Sequence, residues 1–178
     1  FYAYIIEALC DLGEIDVAKK AMKNIATLQK EDGSVPSYKN LPWVCLPGLA
    51  QFAVIWYKLG MKEHADKALQ YLEKVQKPDG GFYGSYGNGA NYFREEEISW
   101  TVKFFLDAYY LKIKTAFNLK VDQFPESIEE NDGRVQEISS FFGDLNGKKV
   151  IDVGCGKGRF LRILNKQFPN SQLYGLDI

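Results

Sequence analysis

Apolar and polar positions recur with helical spacing over the first two thirds of the chain. Segments 1–12, 43–59 and 98–113 are strongly apolar, which predicts three largely buried helices. Segments 14–29 and 62–76 mix apolar with charged positions, which predicts amphipathic helices with one solvated face. Each amphipathic segment follows an apolar one, so the pattern predicts a series of helical hairpins with an inner and an outer helix.

The hairpins form an internal repeat. The hexapeptide QKEDGS at 29–34 recurs as QKPDGG at 76–81, an offset of 47 residues, and a third copy begins near Ser99. Leu-Gly pairs at Gly13 and Gly60 predict left-handed helix ends between the helices of a hairpin. Asp-Gly predicts a turn at the end of each copy. A single hairpin cannot bury its apolar face, so we expect neighbouring copies to stack.

The pattern changes after the third apolar segment. Residues 118–132 carry Pro125 and five acidic side chains, which predicts a linker. Residues 133–142 have helical periodicity, and a short apolar strand then runs into a glycine-rich loop. An amphipathic helix and a second short strand follow, and the strand ends at Asp177. Strand, glycine loop, helix, strand and acid make a βαβ unit typical of nucleoside binding.

Composition and length fit this division into domains. The chain has 178 residues with 46% hydrophobic side chains, so we predict a multidomain α and α/β protein: a helical repeat region at 1–117, an acidic linker at 118–132 and the start of a Rossmann-like domain at 133–178. Because the chain begins inside a helix and ends at the second strand, we expect a fragment cut at both ends that is inactive by itself.

Charge and cysteine content exclude several classes of protein. The net charge of −1 provides no basic field for nucleic acid. Cys10, Cys45 and Cys155 are too widely spaced for a disulfide framework or a zinc motif, which favours a cytoplasmic location. The apolar segment 41–57 is interrupted by prolines and Gln51, so it predicts a buried helix and no membrane span. The oligomeric state is left open.

The glycine-rich loop carries the chemistry. Gly154, Gly156 and Gly158 allow backbone to approach a ligand, and the helix that follows directs its amides to the same point. A dinucleotide-binding G-x-G-x-x-G would need glycine at the position of Arg159. Asp152 lies two residues before the first glycine, where a carboxylate suits an ammonium or sulfonium better than a pyrophosphate. A βα turn without ligand and a dinucleotide site remain as alternatives.

VIDVGCGKG at 150–158 closely resembles the first motif of class I S-adenosylmethionine-dependent methyltransferases, and YGLDI at 174–178 resembles their second. The resemblance implies S-adenosyl-L-methionine as cofactor and leaves the methyl acceptor, a small molecule or a glycan, unidentified. It implies that backbone of the glycine loop lines the methionine moiety, that Asp152 helps place its amino end and that Asp177 binds the ribose. The cofactor-binding residues predicted in this way are Asp152, Gly154, Cys155, Gly156, Gly158, Asp177 and Ile178.

No catalytic residue is assigned, and no metal site. Cys155 sits at a helix N-terminus, where a thiol can act as a nucleophile, but without a histidine partner we interpret it as a small side chain under the loop. Lys157 and Arg159 are predicted to be solvated. The sole histidine, His64, lies on a charged outer helix and is predicted to be a solvated surface residue.

The repeat region resembles the QW-type repeats of the α/α-toroid proteins, the terpenoid cyclases and protein prenyltransferases. The second copy carries the resemblance most fully. The matching residues are Ala68, Tyr71, Leu72, Gln76, Asp79, Gly80 and Phe82, with Ala21, Ile25, Gln29, Asp32 and Gly33 in the first copy. The resemblance implies an α/α-toroid fold, but the acidic run of the cyclases and the zinc set of the prenyltransferases do not occur here.

Aromatic and acidic side chains cluster near the loops of the repeat region, which suggests a glycan or lipid-linked glycan as methyl acceptor; packing between repeats is the alternative. These residues are Tyr38, Trp43, Phe82, Tyr83, Tyr86, Tyr92, Phe93, Glu95, Glu96, Glu97 and Trp100. Two other functions remain open. One is a cyclase-like or carbohydrate- or lipid-binding toroid with an accessory nucleotide-binding domain, and the other is an NAD-dependent oxidoreductase.

Overall fold

Two units make up the chain, Phe1–Phe117 and Asn118–Ile178. A computed structural model describes residues 2–177, without the side chain of Val121. The helices of the first unit are α1 (Tyr2–Asp11), α2 (Ile15–Ala26), α3 (Leu46–Lys58), α4 (Lys62–Val75) and α5 (Ser99–Asn118), and its two short strands are β1 (Val44–Cys45) and β2 (Ser85–Tyr86). β1 and β2 pair antiparallel, with Val44 opposite Tyr86.

Glycine ends the first helix of each of the two complete hairpins. Gly13 follows α1 with φ of 83°, and Gly60 follows α3 with φ of 74°. These left-handed conformations confirm the helix ends predicted from the Leu-Gly pairs, because only glycine adopts them without steric cost. α1 then packs on α2, and α3 on α4.

The turns at 29–34 and 76–81 have the same hydrogen bonds. The side-chain amides of Gln29 and Gln76 each donate to the carbonyl of the glycine four residues later, at 3.2 and 2.9 Å. In both turns the aspartate accepts from the backbone N–H two residues on, at 2.9 and 3.0 Å. The two glycines have φ of 89° and 88°. The two copies therefore share their turn geometry, whereas closure of the hairpins into a toroid stays a prediction.

The turn at 29–34 packs closely against α4 of the second hairpin. A Cβ on Gly33 would lie 1.9 Å from the carbonyl oxygen of Lys67 on α4. Gln29 donates to the backbone carbonyl of His64 at 2.9 Å, and its own carbonyl lies 2.6 Å from the His64 ring nitrogen Nδ1. The His64 ring stacks on Trp56 at 5.5 Å between centroids and is half-buried. The predicted solvated histidine is therefore wrong, because stacking of the hairpins covers that side of α4.

Burial differs among the three apolar helices. α3 has ten buried residues because it contacts α1, α2 and α4. α1 buries only Ala3 and Ile6, and α5 is buried on one side only, so the prediction of three largely buried helices holds for α3 alone. α3 also begins three residues later than the apolar pattern suggests, because the chain pairs as β1 before Pro47 opens the first helical turn.

The second unit starts with a single 3₁₀ turn, Val121–Gln123, and a helix, α6 (Gly133–Phe142). Strand β3 (Lys149–Val153), helix α7 (Arg159–Gln167) and strand β4 (Gln172–Leu176) follow. β3 and β4 pair parallel, from Lys149 opposite Gln172 to Val153 opposite Leu176. A βαβ crossover of this kind brings the carboxyl ends of both strands to the same edge.

Candidate functional site

A loop of five residues, 154–158, leaves β3 and enters α7. Its three glycines, Gly154, Gly156 and Gly158, have φ of 83°, 51° and 67°, and Gly158 is the residue at the N-terminal end of α7. L-residues rarely adopt such angles, so the loop keeps this path because glycine occupies all three positions. A Cβ added at Gly154 or Gly156 would meet no atom within 4 Å, so both glycines border open space.

Backbone hydrogen bonds fasten the start of this loop to the end of β4. The N–H groups of Gly154 and Cys155 both donate to the carbonyl of Leu176, at 2.7 and 3.3 Å. Asp177 comes directly after Leu176 and is exposed. The fold thus brings Asp177 next to a loop that lies 19 residues earlier in the sequence. Ile178, also predicted to bind the cofactor, lies outside the described residues.

Asp152 and Gly175 form a pair in the parallel register, so they lie on the same face of the sheet. A Cβ on Gly175 would lie 2.7 Å from Cys155 Sγ and 2.9 Å from Leu161 Cδ1, so this face is the one covered by the loop and α7. Asp152 is half-buried there. Gly175 belongs to the motif at 174–178 but had no predicted role, although a glycine inside a strand commonly marks a close approach.

Cys155 lies at the loop with a partly buried side chain. Its thiol is 3.8 Å from the carbonyl oxygen of Gly156, a weak contact to its neighbour. The one histidine of the sequence, His64, is engaged by Gln29 and Trp56 within the first unit. The described residues therefore offer Cys155 no base from a histidine, and its interpretation as a packing side chain stays a prediction.

Lys157 is not solvated, contrary to the prediction. Its ammonium donates to the backbone carbonyl of Phe124 at 3.1 Å and bonds the carboxylate of Glu126. The Lys157 side chain is only 19% exposed, whereas that of Glu126 is 81% exposed. The hydrogen bond from Lys157, and then its charge, lower the pKa of Glu126. Arg159 is half-buried. Sequence reasoning missed the contact because it joins residues 31 positions apart.

The donors and acceptors at this edge fit the two ends of S-adenosylmethionine. No acceptor among residues 2–177 is found for the N–H groups of Gly156 and Lys157, and the first turn of α7 offers further free N–H groups. Carboxylates stand on both sides of the loop, Asp152 below it and Asp177 beside it. N–H groups suit a carboxylate, and carboxylates suit an ammonium and ribose hydroxyls. When bound, the cofactor would supply an electrophilic methyl group.

The aromatic and acidic residues of the first unit are only partly available to a ligand. Phe82 is fully buried and Trp43 is 7% exposed, so for these two residues the alternative of packing holds. Tyr92, Phe93 and Trp100 are exposed, and Phe93 contacts both other rings edge to face. An open depression of about 470 Å³ is lined by residues 91–96, which include Arg94, Glu95 and Glu96. Phe93 has φ of 44°, an unusual angle for a residue other than glycine.

Neither a metal site nor a membrane span has a basis in residues 2–177. No group of three or more histidine, cysteine, aspartate or glutamate side chains in this range is placed to hold a metal ion. No helix in this range combines the length and the apolar character needed to span a membrane.

Comparison with known proteins gave one family. Residues 144–178 match the family model described as a methyltransferase domain. The match covers the strands, the glycine loop and α7, and it supports a methyltransferase domain at this end of the chain, and with it a transferase enzyme. Searches among curated proteins and among solved structures gave no match.

Proposed function

We propose that the protein is an S-adenosylmethionine-dependent methyltransferase. The observation that carries the proposal is the loop of three left-handed glycines, 154–158, bonded to the end of β4 immediately before Asp177. The methyltransferase family match covers the same residues. Neither the toroid module nor the NAD-dependent oxidoreductase has a comparable observation in its favour. The cytoplasmic location stays a prediction.

Each predicted site residue except Ile178, which lies outside the described residues, has a role in this proposal. Backbone at Gly154, Cys155 and Gly156 lines the methionine moiety, and Gly158 starts the helix whose first turn faces it. Asp152 helps orient the amino end from beneath the loop. Asp177 accepts hydrogen bonds from both ribose hydroxyls. For such a strong electrophile the protein chiefly contributes positioning of the reactants and exclusion of water.

Calorimetry on the native full-length protein tests the proposal. We expect binding of S-adenosylhomocysteine and no binding of NAD. Asp177→Ala should weaken S-adenosylhomocysteine binding by on the order of 2–3 kcal/mol, because it removes a charge-assisted pair of hydrogen bonds. Glu137→Ala, which removes an exposed carboxylate on α6, serves as the matched control and should bind like the wild type. Binding of NAD alone would refute the methyl-transfer proposal, and unchanged affinity in Asp177→Ala would refute the role of that residue.

For the acceptor we propose a glycan or lipid-linked glycan bound in the first unit. Support comes from exposed Tyr92, Phe93 and Trp100 beside the charged side chains of Arg94, Glu95 and Glu96. Aromatic faces stack on the apolar faces of sugar rings, and carboxylates accept hydrogen bonds from hydroxyls. A glycan array with the wild type and Trp100→Ala checks this. Loss of a glycan signal in the variant supports the site, and a wild type without any signal removes the acceptor proposal while leaving cofactor binding intact.

A further inference from the structure

Two cations of the βαβ unit reach back to residues 124–126. Besides the bonds from Lys157, the guanidinium of Arg162 on α7 donates through Nη1 to the backbone carbonyl of Lys157 at 2.6 Å. Its other terminal nitrogen, Nη2, donates to the backbone carbonyl of Glu126. A single side chain therefore joins three parts of the unit: the glycine loop, α7 and the segment that precedes α6.

The geometry of these bonds needs arginine. A guanidinium is planar and presents several N–H donors in a fixed fork, so it can serve two carbonyls in different directions at once. An ammonium group in its place is a compact point charge with three rotatable donors, and it lacks the rigid spacing between Nη1 and Nη2 that places two donors on two separate carbonyls. The Lys157 carbonyl sits inside the glycine loop, where three glycines leave the backbone with much conformational freedom to lose.

We infer that Arg162 is a positioning residue of the cofactor site, and that residues 124–126 belong to that site's support rather than to a free linker. In this role Arg162 acts through the Lys157 carbonyl, to which it donates, and so constrains the loop path. The bond from Lys157 to Glu126 is a second tie, a contact that links the loop to residues 124–126. A loop held in its binding shape loses less conformational entropy when the ligand arrives, so these ties raise affinity without touching the ligand. The inference rests on the proposed cofactor site.

The test compares Arg162→Gln, Arg162→Lys and the wild type in the native full-length protein. Calorimetry with S-adenosylhomocysteine should show about tenfold weaker binding in both variants, the equivalent of one net charge-assisted hydrogen bond. Arg162→Lys keeps the charge, so its failure to restore affinity assigns the effect to the fork. Lys166→Gln is the matched control: it removes a cation from the same helix, 3.8 Å from Glu130, without contact to the loop. It should bind like the wild type.

Hydrogen exchange without ligand separates this inference from the proposed function. In both Arg162 variants, peptides covering 154–158 and 122–127 should exchange faster together, while peptides of β3 and of the first unit stay unchanged. Wild-type affinity or wild-type exchange in Arg162→Gln would overturn the inference. If the wild type does not bind S-adenosylhomocysteine at all, the proposed function fails, and the exchange data alone still decide whether Arg162 holds the loop.

Discussion

Apolar side chains are distributed differently in the two units. In the first, a single cluster that includes Ile6, Leu49, Trp56, Leu72 and Phe82 is buried among the hairpins. In the second, four apolar residues are buried among the side chains that the structure describes, which leave out Val121 and Ile178. One sheet face there is open: Ile151 and Val153 on β3 are 62% and 73% exposed, and their register partners on β4, Tyr174 and Leu176, are 53% and 57% exposed.

This difference in burial follows from how the helical hairpins and the βαβ unit cover their apolar surfaces. A hairpin buries its face against the next hairpin, so each copy supplies the cover for its neighbour. A parallel pair of strands with one crossover helix covers one face, and parallel sheets are normally covered on both. The first unit therefore depends on close packing, whereas the second depends on a few backbone ties that shape an exposed loop.

The largest expected effect is at the packed turn of the first unit. Gly33→Ala places a Cβ 1.9 Å from the Lys67 carbonyl oxygen at φ of 89°, so it combines a steric clash with a left-handed backbone. We expect a loss of about 2–5 kcal/mol of stability, of which about 1–2 come from the backbone and the rest from overpacking. Urea unfolding followed by tryptophan fluorescence reports on this unit, since Trp43, Trp56 and Trp100 all lie in it.

Gly80→Ala is the internal control. Gly80 has nearly the same φ as Gly33, 88° against 89°, but its added Cβ would meet only Gln76 Nε2, at 3.9 Å. It should cost only the backbone share, about 1–2 kcal/mol. The difference in lost stability between the two variants therefore measures how much the close approach of the turn at 29–34 to α4 contributes. Equal losses in the two would show that the close approach contributes nothing.

A smaller effect is expected at the matching close approach in the second unit. Gly175→Ala places a Cβ 2.7 Å from Cys155 Sγ and 2.9 Å from Leu161 Cδ1, both side-chain atoms that can yield. We expect a loss of about 1–3 kcal/mol, together with weaker S-adenosylhomocysteine binding, because the loop start must shift. Hydrogen exchange of peptides from 149–177 and calorimetry measure the two effects. Adding Cys155→Ala removes Sγ and should restore part of both; a double variant no better than the single one would contradict this.

The smallest effect is a pH dependence at the start of α6. Asp132 is its N-cap, and hydrogen bonds from the Arg134 side chain and backbone lower the Asp132 pKa to about 2. A carboxyl group with a lowered pKa contributes its full stabilisation above its unfolded pKa of about 3.8 and loses it as the pH falls through about 2. We therefore expect the unfolding midpoint of the wild type to exceed that of Asp132→Asn at pH 5, with the gap narrowing below pH 4 and closing below pH 2. A constant gap would show that charge at this cap is irrelevant.

Local sequence determined the parts that depend on spacing along the chain. Gly13, Gly60 and the Asp-Gly turns indicate their own conformations, since left-handed backbone strongly favours glycine. The order of strand, glycine loop, helix and strand follows in the same way from periodicity and turn residues. The aromatic residues near the loops show where local sequence stops being informative. Phe82 is buried and Tyr92 is exposed, and the aromatic character of the two side chains does not predict this difference.

The tertiary structure alone decided which side chains meet across long separations. Three contacts show this: His64 stacks on Trp56, Gly33 packs against the backbone of α4, and Arg162 donates to the carbonyl of Glu126. The residues of each contact lie between 8 and 36 positions apart, and no local pattern in the sequence predicts that they meet. The sequence by itself determined the glycine loop and the acid at the end of β4. Only the fold placed the glycine loop and Asp177 at the same edge of the sheet, because the parallel register of β3 and β4 brings the ends of the two strands together.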